Sequence, residues 1–311
     1  MLHYKIINRE LYIYLPKKMK FDLKFHRLMA SIISLVLKYK NSNRIIFSCD
    51  INISYDKMCK TYIFNVLDFF KSKGMHIYTT RKLKEDIVDL VHKKSGKTYG
   101  SEINVMELLL KENVKYYSFK GIEEIYKPIG DIVKTITDLS LIYNDNELRD
   151  FLTTTIGEIF SNSLNHSEQD EVFFLFNVEK EKDDFYLYVS IIDYGTTIIS
   201  NVRGFLKDTN KTSSSCMSWA IKRGHTTREG SGGYGLDMLI NYIKIVKGML
   251  LIFSGNAYYS LEPNGKIRIE ENQNELFCGT SVTFKIKLFD TDNVISYQNG
   301  IIDCFSLDDL A

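Results

Sequence analysis

Residues 158–167 read EIFSNSLNHS. Glu158, Asn162 and His166 recur every four residues, so on a helix they share one face. Ile156, Ile159, Phe160 and Leu164 supply the apolar side, and the same spacing runs back through Leu152 and Leu148. The pattern predicts a helix over 148–165. By spacing alone the polar stripe is as good a solvent face as a site. Its residue types add the functional reading: a carboxylate that can orient water, beside an amide whose oxygen can hold a metal ion.

Toward the carboxyl end, 171–178 and 185–192 have strand character, and the wholly charged EKEKDD (179–184) lies between them. That predicts a β-hairpin with a solvated turn. The second strand runs into Asp193-Tyr194-Gly195. A carboxylate at a strand end can accept a hydrogen bond from a ligand's amino group, or it can cap a turn. Residues 201–232 are rich in Ser, Thr, Lys, Arg and Gly and read as a mobile polar loop with a short helix near 216–221. Gly232, Gly233 and Gly235 precede a helix over 236–246. Glycines there let the backbone approach a phosphate, whose charge the free N–H groups attract. Strands at 249–253, 267–269 and 281–288, with a turn at Gly255-Asn256, complete a sheet. The order predicts an α+β fold: a two-layer α/β sandwich with helices on one face of a mixed or antiparallel sheet.

Toward the amino end, strand patterns at 11–15, 44–47 and 75–78 alternate with helical patterns at 25–38 and 57–71. This is a small α/β layer structure, followed by a helix over 82–94 and a glycine-containing loop to Gly100. No GxGxxG follows these strands, so a dinucleotide site has no support there. The expected division is a smaller α/β unit over 1–120, a second unit over 121–290 and a tail over 291–311.

Composition narrows the function classes. The 311 residues suit about two domains. With 44% hydrophobic and 25% charged residues, a wholly disordered or fibrous chain is excluded. The net charge of +1 gives no global field toward nucleic acid or anionic lipid. Cys49, Cys59, Cys216, Cys278 and Cys304 form no CxxC pair, and the histidines are scattered, which supports neither a disulfide scaffold nor a structural zinc site. The first residues do not read as a signal peptide, and the apolar run 29–37 is far shorter than the ~20 residues a membrane span needs. A reduced cytoplasm, without membrane or strong nucleic-acid contact, is the expectation.

Taken in order, the motifs resemble the ATP-binding domain of the GHKL superfamily, which includes sensor histidine kinases, anti-sigma-factor kinases and type II topoisomerases. EIFSNSLNHS looks like its N box, IIDYGTT (191–197) like a degenerate first glycine box, SGGYGLDML (231–239) like the second, and CGTSVTFKI (278–286) like its last glycine–threonine strand. The resemblance covers about residues 145–290 and implies a Bergerat-type fold. It also implies a Mg²⁺-dependent ATP-binding protein with slow ATPase or serine/threonine-type kinase activity in a regulatory switch, working with a protein partner or as a homodimer. The alternative is a non-catalytic, nucleotide-gated interaction module. Carried over, Asp193 accepts from the adenine amino group with help from Thr280, and Gly195 lets the backbone pass the base. Asn162 coordinates Mg²⁺, and Gly233 and Gly235 line the phosphate end. Arg228 and Ser231 in the lid touch the triphosphate, His166 packs or touches phosphate, and Glu158 polarises water.

Two features depart from the family pattern. Thr197 stands where a second glycine is usual, and a β-branched residue is poorly suited to positive φ. No phosphoacceptor helix precedes this part, which argues against an autophosphorylating sensor kinase. The strand–helix alternation of 11–78 resembles a STAS-like fold, as in anti-anti-sigma proteins.

Overall fold

The computed structural model describes residues 2–49, 54–80, 83, 114–119, 122–138, 152–166, 171–227 and 233–288. The amino-terminal part runs β1 (His3–Ile7), β2 (Glu10–Tyr14), β3 (Lys18–Met19), α1 (Leu23–Lys38), β4 (Arg44–Ser48), β5 (Ser54–Tyr55), α2 (Lys57–Ser72) and β6 (Ile77–Thr79). Asp22 starts α1 by accepting from the Phe25 N–H, a standard cap. The strands align in the order β1-β2-β4-β6; β2, β4 and β6 are parallel and β1 is antiparallel. Alternation sends Leu11, Ile13, Ile45 and Phe47 inward, where they are buried.

The remainder runs β7 (Val114–Phe119), a 3₁₀ turn, α3 (Tyr126–Asp138), a π-helical turn (Leu152–Ile156) leading into α4 (Gly157–His166), β8 (Val172–Glu181) and β9 (Asp184–Asp193). Then come α5 (Ile198–Leu206), α6 (Ser213–Ala220), α7 (Gly235–Ile245), β10 (Met249–Gly255), β11 (Ala257–Leu261), β12 (Ile267–Glu271) and β13 (Phe277–Leu288). Seven strands form one sheet in the order β12-β11-β10-β13-β9-β8-β7. Every neighbouring pair is antiparallel, so the sheet is not mixed. The chain is thus an α+β protein, and β7, within the span 1–120, is an edge strand of this larger sheet.

Both faces of the seven-stranded sheet are covered, one by helices of its own part and the other by the amino-terminal helices. On one face Ile132 of α3, Ile156 and Ile159 ahead of and within α4, and Leu239 and Ile243 of α7 share a core with Phe174, Val189, Ile252 and Phe284. On the other face α1 and α2 share a second core with Leu175, Tyr188, Ile192, Leu251 and Phe253. The physical reason lies in α2, where ten of 16 residues are buried, far more than a one-sided stripe. Phe69 stacks on Tyr194 beyond β9, while its neighbour Phe70 stacks on Phe47 of β4. The helix therefore fills the space between two sheets. Arg27 of α1 adds a bidentate bridge to Glu275 at 2.8–3.0 Å, and the Ala30 carbonyl accepts from the Leu276 N–H.

Other local departures have simple causes. The hairpin turn is Lys182-Asp183, not six residues: Glu179, Lys180 and Glu181 continue the ladder opposite Tyr186, Phe185 and Asp184. Lysines of β13 match two of the charges, Lys285 on Glu181 at 2.8 Å and Lys287 on Asp184 at 3.0 Å. The polar run after Asp193 holds two capped helices, because Thr197 and Thr212 accept from Ser200 and Ser215 N–H groups. The helix expected over 82–94 lies outside the described residues except Leu83, and the tail 291–311 lies wholly outside them. Among the described residues no helix is long and apolar enough to cross a membrane.

Candidate ligand-binding site

The site begins at the end of β9. Asp193 pairs in register with Thr280 of β13 and is only 2% exposed. Its Oδ1 accepts from the Gly195 N–H at 3.1 Å and the Thr280 N–H at 3.2 Å, and the Ser163 side chain adds a third hydrogen bond. Burial pushes the Asp193 carboxyl up to about 7, against the downward pull of these three hydrogen bonds. A carboxylate has about four acceptor positions, so one remains for a ligand donor.

Gly279 makes this junction sterically feasible. Its φ is +94°, and a Cβ there would lie 2.2 Å from the Asp193 carbonyl oxygen and 2.6 Å from the Gly195 nitrogen. Only glycine permits that approach. Ser254 of β10 locks the same corner. It accepts from the Ile198 N–H at 2.8 Å and gives its proton to the Gly279 carbonyl at 2.9 Å. The Thr280 hydroxyl, 3.0 Å from Ser254 Oγ, is then the donor in that contact.

Helix α4 forms one wall with Ile159, Asn162 and Ser163, an i, i+3, i+4 face. The start of α7 forms another, with Gly233, Gly235 and Leu236. Gly233 has φ +83°, and a Cβ would lie 2.4 Å from the His225 carbonyl oxygen. At Gly235 a Cβ would fall 2.7 Å from Glu158 Cβ, so α4 and α7 touch at their amino ends. Tyr234 gives α7 no side-chain capping bond, and the first-turn N–H groups of a helix are a favourable place for an anion. Glu158 and Ser163 are five residues apart on α4, roughly 7.5 Å at 1.5 Å per residue. The Asp193 corner and the glycine end are therefore separate ends of one cavity.

That cavity measures about 110 Å³ and is closed further by Ile198, Asn201 and Val202 of α5, Trp219 of α6, and His225 to Thr227. The His225 ring lies 4.6 Å from Trp219, and its Nδ1 is 2.9 Å from the Trp219 carbonyl. Ile159, Ile198, Val202, Leu236 and Val282 give it an apolar lining. An enclosed acceptor, apolar walls and an uncapped helix start can hold a flat amino-bearing ring joined to an anion.

Of the residues singled out from the sequence, Asn162, Asp193, Gly233, Gly235 and Thr280 line this one cavity. Gly195 holds Asp193 through its N–H, and Glu158 is exposed beside Gly235. His166 is the last residue of α4. Arg228 and Ser231 lie outside the described residues. Ser163, Trp219 and His225 also line the cavity, outside the residues that the sequence singles out. Ser163 was within reach, since it shares the i, i+3, i+4 face of Ile159 and Asn162. Thr197 raises no conformational problem, because its φ is −77° and it caps α5.

Among the described residues no group of three His, Cys, Asp or Glu side chains could hold a metal ion. No protein-family model matches the chain, and no curated protein matches its sequence.

Proposed function

We propose that the cavity binds ATP with Mg²⁺ and that the chain is a GHKL-type slow ATPase or regulatory protein kinase. One observation carries this: the buried Asp193, with an acceptor position to spare, shares a cavity with the uncapped start of α7. Asp193 would accept from the exocyclic amino group of adenine. The N–H groups around Gly235 would receive the phosphates.

The residues present fit a phosphate-borne magnesium ion. Mg²⁺ usually keeps several waters and needs one or two protein oxygens besides the phosphates. The Asn162 side-chain oxygen would be the protein ligand, and the ion would supply charge neutralisation at the phosphates. Glu158, exposed beside Gly235, would hold the attacking water or hydroxyl by hydrogen bonding. Apolar residues around the Asp193 corner exclude water from the base. The amino-terminal sheet, with three parallel strands and both helices on one side, supports likening that part to a STAS-type layer, a companion of such kinases in switches.

The test is calorimetric titration with AMPPNP and Mg²⁺, run on the intact chain and on Asp193→Asn. Binding by the intact chain that disappears in the variant is expected. Equal binding by both would remove Asp193 from the base site, and no binding by either would remove the nucleotide.

A further inference from the structure

Helix α2 ends two buried hydrogen bonds on residues adjacent to the polar corner of the cavity. Strand alternation turns Tyr194 away from Asp193, toward α2. Its ring stacks on Phe69 with centroids 3.9 Å apart and planes 8° from parallel. Its hydroxyl donates to Asn65 Oδ1 at 2.6 Å. Ser281, next to Thr280, faces the same way and accepts from the Tyr62 hydroxyl at 3.0 Å. Tyr62, Asn65 and Phe69 stand at i, i+3 and i+7, one stripe of α2. Tyr62, Asn65 and Ser281 are at most 1% exposed, so no water competes for these bonds.

Asp193 and Thr280 are themselves hydrogen-bonded across β9 and β13. Each member of that pair is thus followed by a residue pinned from behind by α2. We infer that Tyr62 and Asn65 are positioning residues for the cavity, so that its occupancy and the seating of α2 on the sheet are coupled. The nucleotide reading supplies only the ligand's identity; the linkage itself rests on these contacts. Because coupling is reciprocal, a partner that loosens α2 weakens binding, and a bound ligand tightens α2. A signal received on the amino-terminal layer thereby has a route to the site.

The experiment compares Tyr194→Phe and Tyr62→Phe, which remove one hydroxyl each and keep the rings. Arg27→Gln is the control, because it breaks the contact with Glu275, which borders neither Asp193 nor Thr280. Amide exchange is followed by NMR at Gly195 and Thr280, the two donors to Asp193, without ligand. ADP affinity is then read from the emission of Trp219. After correction for global stability from urea melts, exchange at Gly195 in Tyr194→Phe and at Thr280 in Tyr62→Phe should rise roughly fivefold, the scale of one lost hydrogen bond. ADP affinity should fall by a similar factor, and ADP should slow exchange along α2 in the intact chain. Arg27→Gln should leave the two amides unchanged. Exchange that rises no more in the tyrosine variants than in Arg27→Gln overturns the coupling, even if ADP binds. Exchange that responds as expected in a chain that ignores ADP supports the positioning role of Tyr62 and Asn65 and defeats the nucleotide reading.

Discussion

Asp193 and Thr280 lie opposite one another on β9 and β13, and the Thr280 N–H reaches Asp193 Oδ1 at 3.2 Å. In this pairing one strand end supplies an acceptor and its neighbour orients it. A ligand donor arriving at Asp193 meets a carboxylate already fixed by three hydrogen bonds.

This arrangement has a pH signature. The Asp193 carboxyl titrates at about 7 because of burial, above its ordinary value of 3.8. A ligand amino group donates to the ionised form and pulls that value down. Affinity for adenosine, which carries no titrating phosphate, should therefore weaken as pH falls below about 7, by up to tenfold per unit. Folding stability runs the other way in the free chain. The raised value means that stability present below about pH 4 is lost as pH rises toward 7, on the order of 4 kcal/mol in all. Asp193→Asn should flatten the stability profile and leave no adenosine binding at any pH. Adenosine affinity that is constant between about pH 5 and pH 8 would contradict the role of the carboxylate.

Gly279 and Gly265 make a matched pair. Both have positive φ, but a Cβ at Gly265 meets nothing within 4 Å, whereas at Gly279 it meets backbone at 2.2 Å. Gly265→Ala should cost only its backbone strain, about 1 kcal/mol. Gly279→Ala should cost roughly 3 kcal/mol or more and abolish ligand binding, since Asp193 and Gly195 must move. Urea melts of the two variants provide the comparison; equal losses would mean that the close approach at Gly279 is not rigid.

Glu158 separates binding from turnover. Glu158 is exposed and beside Gly235, and under the proposed function it would act on the attacking nucleophile and not on the base. Glu158→Gln should lower phosphate release by about 10²-fold or more, with nucleotide affinity kept within a small factor. A variant with undiminished release would assign the water to another group.

Much of the layer order was legible because α1 and α2 carry helical periodicity and β8 and β9 carry continuous apolar runs. What the periodicity could not tell is which partner covers each side. Phe69 and Phe70 are adjacent apolar residues in the sequence, yet they serve different sheets. The polar run after Asp193 hid α5 and the first turn of α6, because their caps, Thr197 and Thr212, look like loop residues until their side chains are seen accepting N–H groups. In the site, a four-residue rhythm drew attention to Glu158, Asn162 and His166, while the lining face is Ile159, Asn162 and Ser163. Trp219 carries no periodic signal, and only the folded chain brings it to the cavity.

Recognition of the adenine amino group by Asp193 is the central claim, and Trp219, the chain's single tryptophan, reports on it from within the cavity. The direct measurement is a fluorescence titration with ADP and with IDP, which differ in that amino group, in the presence of Mg²⁺. ADP should bind at least about 100-fold more tightly than IDP, because a site built to accept that donor is left unpaired without it. Equal affinity for the two, or no response to either, would contradict the account.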